Sequence, residues 1–324
     1  MRTAISTLRL LSQALLIILA VSLINFALVR LAPGDPASVL AGQSGAADEL
    51  YLAQLREQFG LDQPILVQLG KYYLQLLQFD LGYSYRQQLP VIDLIAERLP
   101  NTLLLTLSAF AIALILGVAF GVAAALNRDN WIDTAVGTAA MVLYASPVFF
   151  TGLMLILVFS VFLGWFPAFG SETIGADYGF IGQIADRLKY LVLPAVTLSL
   201  LYAATYTRLT RTAMLDVLQM DYVKLARAKG LPPFRIVGAH VLRNALLPVI
   251  TIAGMQAGHL VGGAVVVETV FAWPGIGRLA FDALLQRDYP VLMGVFLISS
   301  IMVVFFNIIT DLAYKVFDPT MEVS

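Results

Sequence analysis

Six stretches of the chain carry no Lys, Arg, Asp or Glu: residues 10–29, 103–126, 134–171, 190–207, 244–267 and 289–310. Each is 18 residues or longer. A helix rising ~1.5 Å per residue crosses a hydrocarbon core of ~30 Å in about 20 residues, so every block is long enough to be a membrane span. Only 13% of the 324 residues are charged, where a soluble domain carries about 25%. A large buried core does not explain that deficit, because the apolar residues are gathered into these blocks. Block 134–171 is longer than one span needs, but its tail, Gly164-Trp165-Phe166-Pro167, reads as an interfacial belt and a helix stop. One span is expected there, and the expected fold is all-α, a polytopic membrane protein with six transmembrane helices.

The chain has no cysteine, which excludes disulfides and thiolate metal sites. Its first block, 20 residues long, exceeds the apolar core of a secretory signal and no small-residue cleavage site follows it, so it is expected to stay as an anchor. Arg2 and Arg9 precede that block, which favours a cytosolic N-terminus. Six spans then put the C-terminus in the cytosol as well. The segment 208–243, with seven Lys/Arg against two acids (7 − 2 = +5), falls on the cytosolic side, as the positive-inside rule requires. The expected organisation is an N-terminus with the first span (1–31), an external helical segment (32–100), a transmembrane domain (101–318) containing a cytosolic loop (208–245), and a short tail (319–324).

Along the external segment, residues 48–59 suggest a helix with Leu52, Leu55 and Phe59 on one face and Gly60 as its stop. Asp62 is the expected cap of a second helix with Pro64 in its first turn. Ile65, Leu69, Tyr72, Tyr73 and Leu76 then line one face, whose aromatics suit a membrane surface. A short helix over 91–99 is expected to lead to Pro100 in the first turn of the second span. That span carries Gly117-xxx-Gly121, a spacing that lets helices approach closely. The link 127–132 is short and cytosolic. Ser146-Pro147 predicts a kink in the third span, and residues 164–189 a second external segment. The fourth span has Pro194 near its outer end. The fifth holds Gly254, Gly258 and Gly262 at four-residue spacing beside His259, a set that suits either close packing or the wall of a pathway. Residues 268–277 then read as an external turn rich in helix breakers; Glu268, Phe271, Pro274 and Gly275 are its candidate gate residues.

The long basic interruption carries no phosphate-cradling or catalytic signature, and no catalytic or metal-ligating set is expected in the chain. Residues 221–229 have helical character, and Gly230 fits the left-handed position that ends helices. Pro232-Pro233 can begin a helix but not continue one. A second short helix from Phe234 places Phe234, Val237 and Val241 on one stripe, and Leu247-Pro248 returns the chain to the membrane. The reading is a cytosolic helix-turn-helix gripped by a partner protein. Anionic lipid accounts for the charge alone, but not for the glycine-proline architecture.

Ala226-xxx-Gly230 followed by Leu247-Pro248 resembles the cytosolic loop of inner-membrane permeases of ATP-binding-cassette importers. The short family pattern, Glu-Ala-Ala then glycine then Leu-Pro, is departed from at Lys224 and Leu225 and in the longer spacing to Pro248. That form is typical of the dipeptide/oligopeptide/nickel branch. Val29-Arg30-Leu31-Ala32-Pro33-Gly34-Asp35-Pro36, Phe59-Gly60-Leu61-Asp62-Gln63-Pro64, Asp80-Leu81-Gly82-Tyr83-Ser84 and the stretch 267–277 resemble the same branch. The likeness covers nearly the whole chain and is nearest the first of that branch's two paired permeases.

The resemblance implies an ATPase-coupling loop made of Asp221, Lys224, Ala226, Arg227, Gly230, Leu231, Arg243, Asn244 and Pro248. It further implies a second homologous permease, two cytosolic subunits binding ATP and Mg, an external substrate-binding protein and a di- or oligopeptide substrate in a bacterial inner membrane. Lipid is a partner and nucleic acid is not. The chain itself lacks Gly-x-x-x-x-Gly-Lys-Ser/Thr, so it is not expected to hydrolyse ATP or hold a cofactor. The alternatives are import of nickel, a nickel chelate or a glutathione-like compound by the same architecture, and, from a different class, an ion-coupled secondary transporter. The latter usually carries intramembrane carboxylates, and the blocks here contain none.

Overall fold

The computed structural model describes residues 2–31, 53, 57, 62–176, 178–257 and 260–317. The helix expected over 48–59, apart from helical residues 53 and 57, lies outside them. So do Gly258, His259 and the tail 319–324. Among the described residues the regular secondary structure is helical except for one two-stranded hairpin. The helices are α1 (Arg2–Leu31), α2 (Ile65–Leu77), α3 (Val91–Leu126), α4 (Trp131–Ala145), α5 (Val148–Leu155, running on as a π-helix over Ile156–Phe162), α6 (Phe180–Leu218) and α7 (Asp221–Ala228). A helical turn (Pro233–Arg235) and a π-helix (Ile236–Leu242) lead into α8 (Arg243–Ala257), followed by α9 (Leu260–Val270), α10 (Ile276–Gln286) and α11 (Tyr289–Phe317). Among the described residues four helical stretches are long and apolar enough to cross a membrane: Val91–Leu126, Phe180–Leu218, Pro233–Gln256 and Tyr289–Thr310. α4 and α5 with its π extension make a fifth if taken as one broken span.

Several elements differ from the sequence expectation. Block 134–171 is not one kinked helix: Ser146 and Pro147 turn the chain by 111° between α4 and α5. Pro147 supplies no N–H to continue α4 and its extended ψ of 137° redirects the chain. Residues 91–99 are not a separate helix, because α3 runs unbroken past Pro100. α6 starts at Phe180, ten residues inside the expected external segment, and keeps Pro194 in its interior, buried. Pro64, not Asp62, occupies the cap position of α2, and its carbonyl accepts from the N–H of Val67 (2.9 Å) and Gln68 (3.1 Å). The hairpin β1–β2 (Tyr83–Ser84 with Leu89–Pro90) has strands too short to leave a periodicity.

The contacts divide the chain into two groups: residues 1–100 with 275–304, and residues 101–274 with 305–324. In the first, α2 packs on α1, the Tyr73 hydroxyl donating to the Leu19 carbonyl (3.2 Å) and lying 3.3 Å from Ser22 Oγ. Ser84 Oγ donates to Asp288 Oδ2 at 2.5 Å, which closes the hairpin onto the start of α11.

In the second group α6 is the spine. Gly117 and Gly121 of α3 are where it comes closest: a Cβ at Gly117 would collide with Tyr206, and one at Gly121 would lie 2.5 Å from Thr210 Cβ. Only glycine lets the two backbones meet there. One apolar cluster joins Leu105 and Ala109 of α3 to Leu193 and Leu198 of α6 and to Phe271 and Trp273. A second, at the other end of α6, gathers Met214 and Val217 with Ala125, Val223, Val241 and Ala245. That second cluster is the footing of the basic segment.

Candidate functional site

α7 has eight residues, and a helix that short is marginal in water by itself. It is held by burial of one face. Val223 and Ala226 are buried among Ala125, Met214, Val217, Ile236 and Val241. Asp221 in the first turn sits favourably at the positive end of the helix dipole. At the far end Gly230 has φ +75°. Its N–H donates to Arg227 O (2.9 Å), and that of Leu231 donates to Ala226 O (3.3 Å). This is the paired six-to-one and five-to-two pattern of a Schellman stop. Leu231 then folds back onto the cluster that contains Ala226, the apolar contact that accompanies such a stop.

The next helix is not short. From Pro233 the chain turns once, passes through the π-helix and continues as α8 without a break, Pro248 included. Its buried residues are Ile236, Val241, Ala245, Val249 and Ala253, stepping by five and then by fours. The five-residue step is the wide π turn, which resets the buried face. For the same reason Phe234, Val237 and Val241 do not form one stripe: Val241 is buried and Phe234 is 77% exposed. Tyr222 and Asn244 clasp this irregular turn to α7. The Asn244 amide donates to the Tyr222 hydroxyl (2.7 Å) and the His240 carbonyl (3.2 Å), and the Tyr222 hydroxyl donates to that carbonyl at 3.3 Å.

The outward side of α7 is basic with apolar points. Asp221, Lys224, Arg227, Lys229 and Gly230 are exposed, as are Arg243 and Asn244. Leu225 stands out at 56% exposure. Lys224 donates to Asp221 at 2.8 Å and thereby holds the Asp221 carboxyl below the usual carboxylate range. Elsewhere on α6, Arg211 forks onto Asp133 in the first turn of α4 (2.5 and 2.6 Å). The pair borders a cavity of about 460 Å³ that Arg208 also lines, its guanidinium 4.4 Å from the centre of the Tyr144 ring.

The remaining candidate residues fall elsewhere. At Gly254 a Cβ would collide with Thr310 of α11, whose hydroxyl donates to the Gly254 carbonyl (3.1 Å), so this position is a helix contact. Gly262 lies in α9. The stretch expected as an external turn from residue 268 is helical to Val270, and Glu268 is fully buried in α9, accepting from the Thr102 hydroxyl at 2.6 Å. Phe271 and Trp273 are core residues, and Ala272, with φ +51°, makes the reversal. Asn101 fastens that reversal. Its amide donates to Pro274 O (2.9 Å), its carbonyl accepts from Trp273 Nε1 (3.0 Å), and its side-chain oxygen accepts from Arg187. Gly275 caps α10 in extended conformation.

Residues 117–323 match the model of the binding-protein-dependent transport system inner membrane component, and residues 5–106 that of the N-terminal membrane component of the same systems. The chain belongs to this family. It is a multi-pass inner-membrane permease. The permease is 43% identical over 308 residues to the oligopeptide transport system permease protein AppB of Bacillus subtilis, covering 94% of this chain and 95% of that one. To the di/tripeptide transport system permease protein DppB of Pseudomonas aeruginosa it is 40% identical over 316 residues, covering 93% and 94%. Among solved structures, an inward-facing conformation of the MetNI methionine ABC transporter matches with TM-score 0.56 at 19% identity, covering 70% of the permease and 97% of that chain.

Two features of the permease escaped the sequence reading. Tyr222 gave no signal, because its partner lies in a π turn that periodicity does not reveal. The Arg211–Asp133 pair joins residues 78 apart, and only the rarity of charge beside the apolar blocks hinted at it.

Proposed function

We propose that this permease is one half of the membrane pathway of an ATP-driven importer of di- or oligopeptides. It pairs with a second, homologous permease, two cytosolic subunits bind ATP with Mg and hydrolyse it, and an external binding protein delivers the substrate. The peptide substrate rests on the two bacterial relatives, which are named for oligopeptide and di/tripeptide transport. The reading of a separate ATPase is supported by the 324 residues containing no Gly-x-x-x-x-Gly-Lys-Ser/Thr loop.

One observation carries the mechanism. α7 is clamped to α6 and to the start of α8 through Val223, Ala226, Leu231 and the Tyr222–Asn244 clasp, while Leu225, Lys224 and Arg227 face outward. A subunit that grips the outward face moves α7 and, through the clasp, the foot of α8. Asp221, Lys224, Ala226, Arg227, Gly230, Leu231, Arg243, Asn244 and Pro248 act as a lever, and the substrate does not touch them. The test is purification from the native membrane in mild detergent, with the attached subunits identified by mass. An ATP-binding subunit at about one copy per permease is expected, and Leu225→Asp should deplete it while the permease stays inserted. A wild-type preparation without any ATP-binding subunit refutes the reading.

A further inference from the structure

α2 has three sides. Leu69, Tyr72, Tyr73 and Leu76 are half-buried, the tyrosines facing α1, where the rings of Phe26 and Tyr72 lie 5.9 Å apart. At roughly 100° per residue, Leu66, Leu74 and Leu77 fall on an adjoining arc, exposed by 81, 59 and 77%. Lys71 and Gln75, also exposed, occupy the third arc.

The depth of α2 follows from its contacts at two points. Leu19 and Ser22, which Tyr73 reaches, lie 10 and 7 residues before Val29, the last residue of the charge-free block of α1. At ~1.5 Å per residue that is ~15 and ~10 Å beneath the membrane boundary at the C-terminal end of α1. Just past α2, Gly82 lies against Pro290: a Cβ there would be 3.7 Å from Pro290 Cβ. Pro290 is the second residue of the block 289–310, so the chain is back at a membrane boundary there. A helix fixed between these two levels is embedded in one leaflet, not resting above it.

We propose that α2 is an interfacial helix sunk in the leaflet reached by the C-terminal end of α1. Its tyrosine face grips α1, its Leu66–Leu74–Leu77 arc is covered by phospholipid acyl chains, and Lys71 and Gln75 face water. The occupant is lipid because α1 exposes its own Leu19, Leu23, Ile24 and Leu28 at the same levels, and the leucine arc continues that apolar surface. A depth of ~5–10 Å at the headgroup–acyl boundary is usual for such helices.

A photo-crosslinking amino acid at Leu74, Leu77 or Lys71 of the full chain, activated in the native membrane with all partners present, tests this directly. Adducts of phospholipid mass are expected at Leu74 and Leu77, at least ~5-fold above Lys71. The chain has no cysteine, so single Leu74→Cys and Lys71→Cys variants add a second readout: a membrane-impermeant maleimide should label only the latter. Protein adducts at both leucines would assign the arc to a partner subunit and overturn the proposal. Maleimide labelling of Leu74→Cys at the rate of Lys71→Cys would place the arc in water and overturn it equally.

Discussion

Replacing Gly230 isolates the turn that ends α7. The residue has φ +75°, and a Cβ built there meets nothing within 4 Å. Any cost of substitution is therefore backbone strain and not a clash. The left-handed region costs an ordinary L-residue about 1–2 kcal/mol, and for alanine the reduced freedom of the opened chain returns about 0.4–1 kcal/mol of that. Gly230→Ala should thus weaken the closed turn by about 1 kcal/mol, roughly fivefold in population. Gly230→Val should cost more, because β-branched residues are least tolerated at positive φ, and Gly230→Asn less, since asparagine visits this region readily. Reconstituted with its partners, the transporter should lose substrate moved per ATP hydrolysed in the order Asn, Ala, Val. Hydrogen exchange at the amides of Gly230 and Leu231 should quicken in the same order. Equal behaviour of all three, or an asparagine variant as impaired as valine, refutes the assignment of this turn to a φ-dependent stop.

Three further outcomes are expected. Gly121→Val drives a side chain into Thr210, 2.5 Å from the new Cβ, and should destabilise the permease by about 1–3 kcal/mol; Gly137→Ala, inside α4 with nothing within 4 Å, should hold or raise its detergent melting temperature. Asp133→Ala strands the half-buried Arg211 guanidinium and should cost about 1–3 kcal/mol, while the exchange of Asp133→Arg with Arg211→Asp should recover part of the lost melting temperature. Asn244→Ala removes a donor from the π turn at His240 and should cost about 1 kcal/mol. It should raise ATP hydrolysis relative to uptake, whereas Tyr222→Phe, which removes the hydroxyl that Asn244 donates to, should reproduce the effect without adding to it.

The sequence held the bilayer blocks, the close approach at Gly117 and Gly121, a change of direction at Ser146-Pro147 (as a kink, not the 111° break) and the left-handed Gly230. Each is a local signal: run length, glycine spacing, or a residue with one backbone role. It hid whatever depends on partners far along the chain. Glu268 reads as part of an external turn until Thr102, 166 residues away, supplies its hydrogen bond. Ser84 and Asp288 are 204 residues apart. The extension of α6 back through Pro194 to Phe180 and the passage of α3 through Pro100 show tertiary context overriding breaker signals that would end a helix in isolation. The π-helix over Ile236–Leu242 is legible only afterwards, in the five-residue step from Ile236 to Val241. Of the candidate site, the turn and its exposed charges were visible. The clasp that joins it to α8 was half visible, through Asn244 alone.

The lever role of α7 is tested most directly by a photo-crosslinking side chain in place of Leu225, activated in the native membrane during transport. The adduct should be a single cytosolic ATP-binding subunit, and its yield should change when ATP is replaced by a non-hydrolysable analogue. An adduct with lipid alone, or with no protein, in membranes that still take up substrate contradicts docking at α7.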